Sequence, residues 1–116
     1  MMSFEVGDII TVDYPHVETN EIKRRPALVV SACPIGPVGF VLWAVMITSA
    51  ANRRWPGDVE IGDHVALGLP IPSVVRTEKI ATLECAGAER VSRAPTPLLA
   101  EIRSRMSDYL GMGGAG

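Results

Sequence analysis

Short apolar, β-branched stretches broken by proline and glycine recur along most of the chain, and only its last part changes period. Asp8 to Tyr14 (DIITVDY) is rich in Ile, Val, Thr and Tyr and stops at Pro15, the composition of a strand entering a loop. Residues 16 to 25 (HVETNEIKRR) are polar, without period and charged in both signs, which predicts a solvated loop closed by Pro26. Ala27 to Ser31 and Val38 to Thr48 are apolar again, and the CPIGP between them marks a turn, so the two predict a hairpin of buried strands. From Ala50 to Pro72, strand-like pieces (DVEI, HVAL) alternate with Gly57, Gly62, Gly68 and prolines, predicting a loop-rich excursion. Ser73 to Leu83 predicts one extended element, followed after a turn at Gly87 by a short piece from Ala88 to Ser92. Leu98, Leu99, Ile102, Met106, Tyr109 and Leu110 then recur at helical spacing, with Thr96 as cap, Pro97 at the first helical position and Gly111 as terminator. The expected architecture is a single α+β, β-dominated domain over residues 1–116. It is a small bent antiparallel sheet or barrel partly covered by a C-terminal helix, with residues 111–116 as a mobile tail.

Composition narrows the class. A chain of 116 residues fits one domain, and at this length roughly two thirds of the unfolded surface is buried on folding. The net charge of -2 excludes a protein that coats nucleic acid indiscriminately, because that requires a large basic excess. A local basic patch remains available, since Lys23, Arg24, Arg25, Arg53, Arg54, Arg76 and Lys79 make up seven of the 11 Lys and Arg residues. The N-terminus has no basic segment leading into an apolar one. The longest apolar run, FVLWAVMI, is far short of the roughly 20 residues of a membrane helix, so a cytoplasmic protein without membrane contact is expected. Cys33 and Cys85 lack the spacing of a disulfide framework or metal site and read as buried thiols, and no metal or cofactor is expected. Trp43, inside an apolar strand, reads as core. Trp55, between Arg54 and Pro56, reads as exposed. His64, beside Gly62 and Asp63, reads as a loop residue.

Three segments taken together carry a resemblance: KRRPALVVSA at 23–32, VMITSA ending the second long strand, and PSVVRTEKIATLE at 72–84. With the opening GDII and VDYP, their order resembles the PemK/MazF family of toxin endoribonucleases over nearly the whole chain. The resemblance implies an SH3-like barrel that forms a two-fold homodimer, cuts single-stranded RNA at short sequences without a metal, and is silenced by a cognate antitoxin. It also implies functional positions at Arg25, Thr48, Arg76 and Glu78. The chain departs from the pattern at Glu78, where Asp is common. His16 lies in the first loop but at the wrong distance from the proline, and no role is carried over to it.

The chemistry fits those residue types. Metal-free RNA cleavage uses the ribose 2′-hydroxyl as nucleophile, which needs a base, an acid for the leaving oxygen and positive charge at the phosphate. Arg25 offers a planar fork for two phosphate oxygens, and the competing reading is a surface ion pair. Thr48 would place a hydroxyl at the rim of a buried strand, although threonine is also common at strand ends for local reasons. Alternation puts Arg76 and Glu78 on one strand face, with Glu78 as candidate base if burial raises its pKa and Arg76 as charge stabiliser. Their bland alternative is a surface ion pair worth under about 1 kcal/mol. Lys23, Arg24, Ser49, Arg53, Arg54 and Trp55 are the candidates for RNA binding, with Trp55 as the one exposed stacking platform. Two other readings stay open: a non-enzymatic toxin on the same barrel acting on a topoisomerase, and an SH3-like binding module.

Overall fold

In the computed structural model the described residues are 4–16, 21–31, 35, 39–52 and 54–112, with the side chains of 14–16 and 21–23 set aside. Six strands form one sheet: β1 (Asp8–His16), β2 (Glu21–Val29), β3 (Val41–Ser49), β4 (Asp58–Glu60), β5 (Ser73–Glu84) and β6 (Ala88–Arg93). Their order is β4-β5-β3-β2-β1-β6, and every neighbouring pair is antiparallel. A single 3-10 turn (Cys85–Gly87) links β5 to β6, and one helix, α1 (Thr96–Tyr109), follows. The fold is the β-dominated α+β sheet with a C-terminal helix that the pattern predicts, left open at β4 and β6 rather than closed into a ring.

The sheet buries apolar side chains on both faces. Ile10, Val12, Ala27, Val29, Leu42, Ala44 and Met46 pack into one cluster with Phe4, Leu83 and Ala88. The alternate residues Ile9, Leu28, Val45, Ile47, Val59 and Val75 pack on the opposite face with Ile102, and Leu98, Leu99 and Met106 of α1 close over them. Register shifts between Ile9 and Ile10 and between Val45 and Met46 bend the sheet, as bulges do. Asp8 is fully buried and ties β1 to β6 by accepting from Arg93 Nη1 at 3.1 Å, while its other oxygen accepts the Glu5 N–H at 2.8 Å.

Five expectations change. The stretch predicted as a loop over 16–25 is strand from Glu21, paired with β1 from Ile9–Leu28 to His16–Glu21. This outer part of the hairpin has no second neighbour, so ladder bonds and the 3.3 Å Arg24–Asp13 ion pair hold it without a hydrophobic period to betray it. Pro15 fits inside β1 because pairing with β6 ends at Val12, leaving an edge that needs no N–H donor. HVAL is a pair of turns in which the His64 carbonyl accepts from Leu67 and Leu69. The residue before the helix is Pro95, whose carbonyl accepts the Leu99 N–H, and Thr96 is the first helical residue rather than a cap. Trp43 is 43% exposed, because it lies on the helix-side face beyond Val45, past the stretch that α1 covers.

Cys85 is buried, while Cys33 lies outside the described residues. Gly111 takes φ 73°, suited to ending a helix, and 113–116 also lie outside. Among the described residues no helix is long and apolar enough to cross a membrane, and no group of three His, Cys, Asp or Glu could hold a metal ion.

Candidate functional site

Strand register builds the site from two rows of cross-strand neighbours. Asp58 of β4 lies opposite Arg76 of β5, Arg76 opposite Met46 of β3, and Met46 opposite Ala27 of β2. In the next row Glu60 is opposite Val74, and Val74 opposite Thr48. Continuing the β2–β3 register two residues past its last pair, Ala27–Met46, brings Arg25 opposite Thr48. Residues two apart on a strand share a face, so Arg25, Thr48, Arg76 and Asp58 lie on one face, at the end of the first apolar cluster. Thr48 and Arg76 are diagonal neighbours, a relation that spans about 7–8 Å and is within reach of a long side chain.

Arg25 and Thr48 line one cavity of about 330 Å³ together with Arg24, Pro26, Ser49, Asn52, Ile71 and Ser73. Arg25 is half-buried, and no hydrogen bond or ion pair engages its guanidinium among the described residues. The Thr48 hydroxyl accepts from Asn52 Nδ2 at 2.6 Å, which leaves its own hydrogen to donate elsewhere. Ser49 Oγ accepts the Ala51 N–H at 3.1 Å and so shapes the turn after β3.

The other basic candidates divide. The Arg24 head turns toward β1 and the β6 turn, donating to Asp13, Thr11 Oγ1 and the Gly87 carbonyl at 3.3, 3.0 and 2.9 Å. Arg54 is exposed and pairs with Glu60 at 3.1 Å. Arg53 lies outside the described residues. Lys23 is opposite Tyr14 in β2, and its side chain lies outside them as well.

Arg76 is buried and finds its carboxylate in Asp58: Nε donates to Oδ1 at 3.0 Å and Nη2 to Oδ2 at 2.9 Å. Its Cζ stands 4.5 Å from the centroid of the Trp55 ring, a cation–π stack. The hydrogen bonds from Arg76, aided by the Trp55 N–H, hold the Asp58 carboxyl below the ordinary aspartate value against the opposing effect of burial. The Asp58 carboxylate in turn raises Arg76 further above its already high value. Arg76 feels Glu78 as an additional attractive charge.

Glu78 lies in the bulge, since Met46 is opposite Arg76 while Val45 is opposite Ile80, and simple alternation does not extend across it. It is exposed, and its Oε1 accepts the Gly57 N–H at 2.9 Å. Thr77, fully buried, donates to the Gly57 carbonyl at 2.6 Å and meets Tyr109 Oη at 2.9 Å, tying the end of α1 to this turn. The chain thus brings Arg25 and Thr48 together in one cavity, and Arg76 and Glu78 around the Trp55–Asp58 turn.

Sequence reasoning missed Asp58, Asn52, Gly57 and Tyr109. The first had a signal: in Trp-Pro-Gly-Asp an acidic residue closes a Pro-Gly turn and can bond back to the residue three before it.

Comparison with known proteins agrees with this architecture. The family model described as PemK-like, MazF-like toxin of type II toxin-antitoxin system matches residues 5–110. A crystal structure of MazF from Deinococcus radiodurans superposes with a TM-score of 0.75 at 29% identity, covering 97% of this chain and 100% of that one. A MazE-MazF crystal structure from the same organism gives 0.73 at 28%, covering 97% and 99%. An endoribonuclease from mycobacterial species, at 19% identity and a TM-score of 0.71 over 98% and 97%, shares the fold. Curated protein sequences gave no match. With nearly its full length matched by that family model and its sheet and helix superposed on MazF, this chain belongs to the PemK-like, MazF-like toxins of type II toxin-antitoxin systems.

Proposed function

We propose that this toxin cuts single-stranded RNA without a metal, with Arg25 and Thr48 at the reacting phosphate. Glu78 takes the proton of the ribose 2′-hydroxyl, the 2′-oxygen attacks phosphorus, the bond to the 5′-oxygen breaks as that oxygen takes a proton from water, and the products are a 2′,3′-cyclic phosphate and a free 5′-hydroxyl. What supports the reading is one observation: Arg25, with no partner among the described residues, and Thr48, with its hydroxyl hydrogen free to donate, line the same cavity of about 330 Å³. A guanidinium and a hydroxyl converging there suit a phosphate whose charge grows in the transition state. Glu78 is the proposed base, as an exposed carboxylate and not the buried one that the sequence suggested, and Arg76 is a fixed positive charge one row away. Trp55, Ser49, Arg54, Arg53, Lys23 and Arg24 are proposed to guide the RNA strand.

An antitoxin is the proposed protein partner, as in the MazE-MazF structures of the Deinococcus protein. A homodimer in the cytoplasm is the proposed working form. Trp43 and Ile80 are 43% and 49% exposed on neighbouring strands and offer apolar surface for a second copy. The test is direct: purified protein in EDTA should cleave single-stranded RNA and leave 2′,3′-cyclic ends. RNA that stays intact under these conditions would sink the proposal.

A further inference from the structure

Asp58 does more than neutralise Arg76. Its two oxygens accept three hydrogen bonds, from Arg76 Nε and Nη2 and from the Trp55 backbone N–H at 3.0 Å. The Asp58 N–H donates back to the Trp55 carbonyl at 3.0 Å, closing the turn. One carboxylate therefore grips both members of the stack, the guanidinium from its edge and the tryptophan from its main chain.

A buried ion pair is weak support for stability, because removing two charges from water offsets most of their attraction. What such a pair fixes well is geometry. Here it holds a tryptophan with one ring face against Arg76 and 39% of the residue still exposed, on the face that carries Thr48 and Arg25. Unpaired nucleobases stack on such aromatic surfaces whatever their identity.

We infer that Asp58 is a positioning residue of the RNA site: it locks Trp55 and Arg76 into one rigid stack, and the exposed indole surface receives an unpaired base beside the phosphate at Arg25 and Thr48. This rests on the RNA-cleaving reading above. Asp58 touches no substrate; it acts through the two groups it holds, mainly on base binding through Trp55 and to a smaller extent on the chemical step through Arg76.

Cleavage is measured on the full chain without further change, and only the fluorescence arm carries Trp43→Phe, which leaves Trp55 as the only tryptophan. Steady-state cleavage of a single-stranded RNA gives kcat and KM, and quenching of Trp55 emission by a 2′-O-methyl oligonucleotide reports base stacking. Asp58→Asn keeps the shape but has only one acceptor oxygen. The expected result is a KM at least ten-fold higher, a fall in kcat smaller than that rise in KM, most of the quenching lost, and partial recovery with Asp58→Glu. Unchanged KM and quenching, or a fall in kcat alone, would overturn the inference. Should Asp58→Asn not fold, the half-exposed Trp55→Leu decides: KM must rise at least five-fold with kcat kept, and an unchanged KM overturns it. A parent protein that cuts no RNA refutes the RNA reading itself, whereas a parent that cuts RNA no differently from Asp58→Asn refutes only the role of Asp58.

Discussion

At Gly57 the chain leaves room for a hydrogen atom and nothing larger. A methyl group there would stand 2.5 Å from Tyr109 Oη and 2.6 Å from both Glu78 Oε1 and Thr77 Oγ1. Gly57→Ala must therefore push the turn away from β5, and a thermal melt should show a loss of about 1–3 kcal/mol, the usual cost of overpacking. Asp58 gives a pH signature. Its carboxyl is held below the ordinary value of 3.8, so in the folded protein it stays ionised at a pH where the unfolded chain takes up a proton. That contribution is fully present above about pH 4 and is lost as pH falls through the folded value. Asp58→Asn should flatten the acid limb of a stability-against-pH curve while lowering the plateau, and a limb of unchanged slope would contradict the assignment. Arg25 was singled out in the sequence by the Arg-Pro at the start of an apolar stretch, although both residues lie inside β2. Asp58 was not, because its partner lies 18 residues away in a strand whose register the sequence does not state.

The elements differ in how much their own composition reveals. β3 is buried on both faces over much of its length, and its continuous apolar run made it easy to find, whereas β5 is buried mainly over Ser73 to Thr77 and carries charged residues beyond. The outer part of the β1–β2 hairpin is polar and paired on one side only, so its signal is a hydrogen-bond ladder that composition does not carry. The bulge in β5 had the largest consequence, because it separates Arg76 from Glu78 and gives them different partners, Asp58 and the Gly57 N–H. The helix was predicted correctly from its period, yet its cap was not, since Pro95 supplies the accepting carbonyl. Its hold on the sheet centres on Ile102, which is fully buried between α1 and the helix-side cluster. Ile102→Ala should cost about 2–5 kcal/mol by lost burial and residual cavity, measured by chemical denaturation. A value under about 1 kcal/mol would mean that the helix packs more loosely than described.

At the scale of the molecule, a chain of net charge -2 places Arg25 and Arg76 at one end of a sheet, where β2, β3 and β5 bring them and Thr48 to one face. The apolar clusters on either side hold those strands, and hence the spacing of Arg25, Thr48 and Arg76, without help from the side chains themselves. Family and fold were readable from the order of three motifs, while the placing of Arg25 and Thr48 in one cavity and of Arg76 against the Trp55–Asp58 turn required the register. The central claim is that the Arg25 guanidinium, with no partner among the described residues, holds the phosphate in the transition state. Its most direct test is the single-turnover cleavage rate of Arg25→Ala against the parent protein on one single-stranded RNA in EDTA, with circular dichroism confirming that both are folded. The account predicts a fall of at least 100-fold, about 2.7 kcal/mol of transition-state stabilisation; a rate within three-fold of the parent would contradict it.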